Sequence, residues 1–249
     1  MSIVEKNIVT MKWGSRYSSS FVNKLYNSVS RNLESDFRFI CFTENTDGLN
    51  SSIETFPLPS IDMPDDKLLT GWRKLSLFRD DLPLNGECLF LDLDIVITGD
   101  LSRFFSFQVG KIPIIHNWVH WRKSLFGKRP EIGNSSVFRW QANKHYHVIE
   151  KYLAEKDWAL KTFSPPQSYL SHCIREHMVY WPDSWVKSFK KHCRPIFPLN
   201  FLLEPKLPRA ASIIAFHGKP DPDEVLRGFR GKRIHHHVLS AKWIKDHWV

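Results

Sequence analysis

The segment ECLFLDLDIVI, residues 87–97, is the most hydrophobic part of the chain and constrains the fold more than any other feature. Its apolar residues follow one another almost without interruption instead of alternating with polar ones. Such a run is typical of a strand that is buried on both faces, as strands inside a parallel sheet are. We therefore expect a strand in this segment, ending at Asp92-Leu93-Asp94, at the centre of a covered sheet.

Strand and helix patterns alternate on both sides of this segment. Apolar residues at helical spacing predict a helix that includes Phe21 and Leu33, and strands are expected at residues 37–43 and 53–59. Further strands are expected in KIPIIH, NSSVF, MVYWP and SIIAFHG, and helices at 72–79, in GDLSRFF, at about 144–155 and after the Pro-Pro turn. The alternation predicts an α/β fold with a mostly parallel central sheet and helices on both faces.

Composition and length narrow the class of protein. The chain has 249 residues, of which 42% are hydrophobic and 14% aromatic, so disordered, collagen-like and disulfide-scaffold classes are excluded. No internal repeat or low-complexity linker divides the chain, which favours a single domain. The first ten residues lack the apolar core of a signal peptide, and we expect a cytoplasmic protein. Four widely spaced cysteines without a C-x-x-C pair argue against zinc or disulfide use.

Two acids, Asp92 and Asp94, interrupt the hydrophobic segment. Side chains two residues apart on a strand project to the same face, roughly 6.6 Å apart. Two such carboxylates among apolar neighbours favour a cation between them. The D-x-D pattern alone is unspecific, since Asp221-Pro222-Asp223 repeats it in a predicted turn. The first pair lies at the carboxyl end of a central strand, where open α/β sheets bind ligands, so we expect a metal or phosphate site there.

The same segment, with GWRKLSLF upstream, IGNSSVF downstream and AFHGKP on the last strand, resembles the GT-A nucleotide-diphospho-sugar transferases, in particular the branch similar to glycosyltransferase family 8. The resemblance extends over roughly residues 3–220. It implies a single GT-A-like (Rossmann-like) domain over residues 1–249. Its nucleotide-binding part would lie at about 1–105, its acceptor-side part at about 106–220, and a basic tail at 221–249.

The resemblance also implies a metal site. In that family the aspartates of the D-x-D motif hold Mn²⁺ or Mg²⁺ against the donor diphosphate, and this role would fall on Asp92 and Asp94. A histidine near the end of the fold is the third protein ligand there, which His217 matches. A metal with nearby cations stabilises the charge that develops on a diphosphate leaving group. Lys74 and Lys219, with Arg73, are the cations available for this purpose.

Further site residues are expected at the ends of three elements. Aromatic faces stack on bases, so the end of the first strand supplies candidates for the nucleobase: Met11, Lys12, Trp13 and Tyr17. Asn134, Ser135 and Ser136 resemble the family's Asn-Ser-Gly segment, whose amide and hydroxyl groups orient donor sugar or acceptor. Gln167 stands where the family commonly has an Asp-Gln pair, without the acid. The predicted catalytic residues are Lys74, Asn134 and Gln167.

Positive charge is concentrated at the end of the chain. The net charge is +9, and residues 187–249 contain 13 Lys and Arg against 5 Asp and Glu. Such a region attracts nucleic acid, anionic lipid or phosphorylated substrates. Within it, Leu239, Trp243, Ile244 and Trp248 fall on one helical arc, which predicts a helix that is either docked on the domain or bound to a membrane surface.

The expected function is metal-dependent transfer of a sugar from a UDP-linked donor to a glycan or lipid-linked saccharide, with retention as the resemblance implies. One alternative is a haloacid dehalogenase-type phosphatase, since DLDIVIT resembles its nucleophile motif. GKPDPD resembles its lysine motif, but that mechanism needs a further acidic pair after the lysine. Asp246 is the only acid after Glu224. The other alternative is a basic nucleic-acid-binding module, in which a buried acidic strand end would repel phosphates. Peripheral contact with an anionic membrane is also expected, and a nucleic-acid partner is not.

Overall fold

The structure, a computed structural model, describes residues 5–118 and 131–249. A seven-stranded sheet with strand order β3-β2-β1-β4-β7-β6-β8 forms its centre, and a three-stranded sheet with order β5-β10-β9 lies beside it. The strands are β1 (Lys6–Lys12), β2 (Arg38–Thr43), β3 (Glu54–Phe56), β4 (Glu87–Leu91), β5 (Ile95–Ile97), β6 (Ile112–His116), β7 (Gly133–Gln141), β8 (Met178–Tyr180), β9 (Val186–Ser188) and β10 (Ile213–Ala215).

The large sheet is mostly parallel. Strands β3, β2, β1 and β4 run in one direction, β7 pairs antiparallel with both β4 and β6, and β6 pairs parallel with β8. The helices are α1 (Ser19–Asn32), α2 (Asp65–Leu68), α3 (Ser102–Ser106), α4 (His147–Thr162), α5 (Pro166–Cys173), α6 (Pro222–Arg227) and α7 (Lys242–His247). A 3-10 helix spans Gly71–Phe78. This architecture confirms the α/β fold expected from the sequence.

Two hydrophobic cores cover the two faces of the large sheet. Along β4, Leu89 and Leu91 belong to one core, whereas Cys88 and Phe90 belong to the other. The first core includes α1 and the small sheet, and the second includes the Gly71–Phe78 helix with α4 and α5. All five residues of β4 are buried, which explains why this part of the sequence is apolar without alternation.

The segment 87–97 forms two strands, whereas the sequence predicted one that ends at Asp92-Leu93-Asp94. β4 ends at Leu91, and β5 begins at Ile95 in the other sheet. β5 pairs antiparallel with β10, with Ile95 opposite Ala215. Both halves are buried, so the sequence shows continuous hydrophobicity although the chain changes sheets. Asp92 and Asp94 therefore lie in the turn that joins the two sheets rather than on a strand.

Helix α4 is longer than expected, because it continues to Thr162 beyond a non-helical residue at Glu155. The predicted end of the helix coincides with this kink. At the other end of the chain, α7 is docked on the domain: Ile244 is fully buried and the Trp248 ring packs edge-on against Phe21. In the described residues, no helix is long and apolar enough to cross a membrane.

Candidate active site

A cavity of about 420 Å³ opens at the carboxyl ends of β1 and β4, the edge of an open α/β sheet at which ligands bind. Three segments line it: the end of β1 with the loop after it, the start of the Gly71–Phe78 helix, and the turn after β4. Six of the residues predicted from the sequence lie in this lining: Met11, Trp13, Tyr17, Lys74, Asp92 and Asp94.

Backbone hydrogen bonds fix the turn that carries the two acids. The Asp92 amide donates to the Ser136 carbonyl over 2.9 Å, which ties the turn to β7. The Phe216 amide donates to the Asp94 carbonyl over 2.9 Å, which ties it to the end of β10. The acidic turn is therefore tied to both sheets through its backbone.

Lys74 is the counter-ion of Asp92. Its Nζ atom lies 2.6 and 2.8 Å from the two carboxylate oxygens of Asp92, and it also donates to the Ser135 carbonyl over 3.0 Å. The Lys74 side chain is 8% exposed, and its ammonium lies 4.8 Å from the centre of the Phe90 ring. The predicted diphosphate cation thus lies in the cavity but is held by one of the predicted metal ligands.

Asp94 is more buried than Asp92, and burial together with the negative charge of Asp92 raises its pKa well above the ordinary value. The Tyr17 hydroxyl donates to Asp94 Oδ2 over 3.1 Å. Burial and the charge of Asp94 raise the pKa of Tyr17 in turn, so the phenol stays protonated and acts as a donor. Tyr17 was expected to contact the base, whereas in this structure it binds the acid.

The ring of His217 lies against the end of the small sheet. Its Nε2 atom is 2.6 Å from Ser188 Oγ, and its ring stacks on Trp118 with centroids 5.4 Å apart. Burial, with the nearby charges of Lys190 and Lys191, lowers the pKa of His217 to about 4. The imidazole is therefore neutral at pH 7, the form in which histidine binds metal ions.

Lys219 lies outside the cavity lining and forms ion pairs at the start of α6. Its Nζ atom is 2.7 Å from both Asp221 Oδ2 and Glu224 Oε1, and its side chain is 53% exposed. Asp221 and Glu224 also form a capping box at the N-terminus of α6. A second cation, Arg16, lines the cavity and lies 3.1 Å from Asp221 Oδ1.

Lys190, which the sequence did not single out, lies close to His217. It is in a π-helical turn at Phe189–Cys193, directly after β9, and its Nζ atom donates to the His217 carbonyl over 2.5 Å. Burial and the charge of Arg194 lower its pKa, and the charges of Asp94 and Asp221 oppose this effect. These interactions place a partly desolvated cation beside the acidic turn.

Asn134 lies at the start of β7, next to the acidic turn. Its Oδ1 atom accepts a hydrogen bond of 2.9 Å from the Ser136 amide, and Asn134, Ser135 and Ser136 are all buried. The carbonyls of the two serines bind Lys74 and the Asp92 amide. The Asn-Ser segment therefore supports the acidic turn through its backbone.

Gln167 lies in the first turn of α5 and is half-buried. Its carbonyl accepts a hydrogen bond from the Ser171 hydroxyl, which also accepts one from the Gly133 amide at the start of β7. A Cβ atom at Gly71, a cavity-lining residue, would lie 3.9 Å from Pro166. The beginning of α5 is thus adjacent to the rim of the cavity.

At the end of β1, the structure separates the residues predicted to contact a base. Met11 and Trp13 line the cavity, whereas Lys12 is buried and is absent from the lining. Gly14 has φ +59°, a conformation that favours glycine, and its amide donates to Glu44 Oε1 over 2.7 Å. This turn brings the loop back over the cavity. Residues 119–130 lie outside the described residues.

The donor atoms fit a divalent cation in chemical type, although each has a protein partner in the structure. Two carboxylates and a neutral imidazole are ligands that Mn²⁺ accepts, and carboxylates suit Mg²⁺. Within residues 5–118 and 131–249, no group of three or more His, Cys, Asp or Glu side chains is arranged to hold a metal ion. The mutual repulsion of Asp92 and Asp94 is the feature that a cation would relieve.

Comparison with known proteins identifies the fold. No protein-family model and no curated protein matches the chain. Among solved structures, one similar protein is the galactosyltransferase LgtC in complex with donor and acceptor sugar analogues. It superposes with a TM-score of 0.58 at 12% sequence identity, and the match covers 87% of this chain and 88% of LgtC. The glycosyltransferase GlyE from Streptococcus pneumoniae gives 0.60 at 14% identity, covering 88% of this chain and 56% of its own.

A third similar structure is the bifunctional glycosyltransferase WbbM, with a TM-score of 0.56 at 11% identity. It covers 88% of this chain and 47% of its own, so this chain spans about half the length of GlyE and WbbM. These similarities confirm the GT-A-like glycosyltransferase fold that the sequence resemblance implied.

The sequence missed four residues of the site: Arg16, Ser188, Lys190 and Asp221. Arg16 lies between the aromatic residues that were singled out, and Asp221 was assigned to a turn as a second D-x-D pattern. Ser188 and Lys190 lie at and after the end of β9, a strand of three residues that carries no recognisable periodicity. Its parallel pairing with β10, in which Ser188 lies opposite Ala215, brings them to His217.

Proposed function

We propose that this protein is a glycosyltransferase that moves a sugar from a nucleoside-diphosphate donor, UDP-linked, to a saccharide acceptor on a glycan or a lipid. The observation that carries the proposal is the pair of acids, Asp92 and Asp94, at the base of a cavity in a chain with a glycosyltransferase fold. The cavity volume falls in the range of small-molecule sites, about 300–1,000 Å³. The donor and acceptor analogues bound to LgtC support the same classes of partner here.

The nucleobase would lie against the end of β1. Trp13 is half-buried in the cavity lining, and Met11 lies beside it. An aromatic face of this kind contributes about 1–3 kcal/mol when a base stacks on it. The diphosphate would then extend from the end of β1 towards the turn after β4, where the cations and acids are located.

Mn²⁺ or Mg²⁺ would be held by Asp92, Asp94 and His217. When bound, the metal supplies positive charge against the leaving diphosphate. Asp94 would exchange its bond to Tyr17, and His217 its bond to Ser188, for the metal. Lys74 would keep the Asp92 carboxylate in position, since it holds both oxygens of that group in the structure.

The cations near the acidic turn would bind the phosphate oxygens. Arg16 lines the cavity, and Lys190 contacts the carbonyl of His217, two residues after β10. Lys219, which the sequence suggested for this role, would have to leave Asp221 and Glu224 first. Asn134 and Gln167 remain the residues proposed to orient the transferred sugar, with retention of configuration.

A thermal-shift experiment tests the proposal. UDP should raise the melting temperature with Mn²⁺ present and not in EDTA, since a ligand at 100 times its Kd adds about 2.7 kcal/mol of stability. Asp94→Asn should abolish the shift, whereas Asp157→Asn, at an exposed position on α4, should retain it. Equal stabilisation in EDTA would contradict the metal-dependent arrangement. No stabilisation by any nucleoside diphosphate in Mn²⁺ would contradict the donor class.

A further inference from the structure

Six exposed apolar side chains occur within eight residues of the chain, between β9 and β10. Ile196 is 77% exposed and Leu202 is 76% exposed, and the others are Phe197, Leu199, Phe201 and Leu203. Single exposed apolar residues are ordinary on a protein surface, whereas a contiguous apolar patch marks an interaction site. We refer to residues 196–203 as the apolar loop.

The apolar loop is held in place by its one buried polar residue. The Asn200 side chain donates to the carbonyls of Ile234, over 3.3 Å, and His237, over 3.0 Å. The Phe201 ring stacks on the His237 ring with centroids 4.7 Å apart. Ile234 itself is 65% exposed. The apolar loop and Ile234 therefore form one fixed surface, whose apolar side chains point away from the core.

The segments around this surface are basic. Residues 225–241 contain four Lys and Arg and no acid. All four are exposed, and three of them, Arg230, Lys232 and Arg233, lie within the four residues before Ile234. Within residues 194–212 the single acid is Glu204, which pairs with Lys242 at 3.1 Å. Apolar side chains beside exposed cations are the combination that a bilayer with anionic lipids accepts.

We propose that the apolar loop and Ile234 dock this protein on the surface of an anionic membrane. The apolar side chains would enter the boundary between headgroups and acyl chains, and Lys232 and Arg233 would contact the anionic headgroups. A second copy of the chain would bring two strongly basic regions together, which is unfavourable. Nucleic acid would match the charge and leave the apolar side chains exposed to water.

This surface differs from the one that the sequence suggested for membrane contact. The apolar side of α7 is not available, because Ile244 and Trp248 are buried in the domain. The apolar loop begins three residues after the Phe189–Cys193 turn, in which Lys190 binds His217. Docking here would hold a lipid-linked acceptor beside the candidate active site. Only this last consequence rests on the proposed function.

Vesicle co-sedimentation of the full chain tests the docking surface. Wild type should bind vesicles of phosphatidylcholine with phosphatidylglycerol and should bind phosphatidylcholine alone much more weakly. The double variant Ile196→Asp with Leu202→Asp should bind these vesicles about tenfold more weakly, because two apolar side chains that would enter the bilayer are replaced by charged ones. The matched control, Val109→Asp with Leu153→Asp, replaces apolar residues that are 71% and 49% exposed elsewhere, and should bind like wild type.

A charge-reversal variant tests the basic residues of the surface. Lys232→Glu with Arg233→Glu should weaken binding to anionic vesicles, and the remaining binding should depend less on salt. Unchanged binding by Ile196→Asp with Leu202→Asp or by Lys232→Glu with Arg233→Glu, or no binding by wild type, would overturn the proposal. The proposal would also be overturned if wild type formed dimers and did not bind vesicles, and if the variant Ile196→Asp with Leu202→Asp dissociated those dimers. The assay contains no sugar nucleotide, so it fails or succeeds independently of the glycosyltransferase assignment.

Discussion

The ion pair between Lys74 and Asp92 should stabilise the fold as well as shape the site. Lys74→Met removes the charge and keeps most of the stem that packs on Phe90. Breaking a fully buried ion pair costs about 3–5 kcal/mol, because the remaining charge is left without a partner. Asp92 is 22% exposed and can regain part of its hydration, so we expect Lys74→Met to cost about 2–4 kcal/mol.

Urea unfolding followed by tryptophan fluorescence measures this loss, since a lower midpoint at constant slope reports a change in stability. The double variant Lys74→Met with Asp92→Asn removes both charges. It should be more stable than the sum of the single effects predicts, with a coupling energy of about 2 kcal/mol. Lys67→Met is the control, because its pair with Asp66 is largely exposed and should contribute at most about 1 kcal/mol.

A loss below about 0.5 kcal/mol for Lys74→Met, equal to an ordinary surface substitution, would refute this reasoning. Additive losses in the double variant would also refute it, because the two side chains would then not stabilise each other. Either result would mean that Lys74 is not the counter-ion of Asp92 in solution.

Three further predictions concern stability. Arg139 is fully buried, pairs with Glu87 at 3.0 Å and donates to the carbonyls of Phe104 and Phe105 near the end of α3. Arg139→Met should therefore lower the free energy of unfolding, measured in urea, by about 3–5 kcal/mol. The Arg38 guanidinium lowers the pKa of Glu54 below its ordinary value of 4.5. The pair therefore stabilises the folded state fully above pH 4.5, and this stabilisation is lost as the pH falls through the lower pKa of Glu54 in the folded state. Glu54→Gln should therefore have a lower Tm than wild type at pH 7, and the difference should vanish in acid; a constant difference would contradict this. Trp248 is buried where α7 docks on the domain, so Trp248→Ala should cost about 3–5 kcal/mol, and an unchanged melting temperature would contradict the docking.

The sequence predicted the parts of the fold whose residues are contiguous. β4 is apolar over most of its length and β1 is buried over most of its length, because both faces of the sheet are covered. The loops directly after these two strands supply most of the cavity lining. Met11, Trp13, Tyr17, Asp92 and Asp94 could therefore be singled out without knowledge of any distant contact.

Contacts between distant segments decided the rest. Nothing local shows that the chain leaves the large sheet at Leu91, since β5 is as apolar as β4 and joins the small sheet by pairing with β10. The hydrogen-bond partners of His217 come from β9 and the turn after it, and β9 is too short to be recognised by periodicity. Lys219 is close to His217 in sequence, yet the acids at the start of α6 hold it away from the cavity lining.

Release of nucleoside diphosphate from a panel of sugar nucleotides tests the central claim most directly. In Mn²⁺ or Mg²⁺, wild type should slowly hydrolyse one sugar nucleotide, and both Asp92→Asn and Asp94→Asn should abolish the release, while Asp157→Asn should preserve it. A generic phosphomonoester should remain uncleaved, and no phosphorylated enzyme should form. Rapid phosphomonoester cleavage with a phosphoryl group trapped on Asp92 would show that this carboxylate is a nucleophile, and would contradict the glycosyltransferase account.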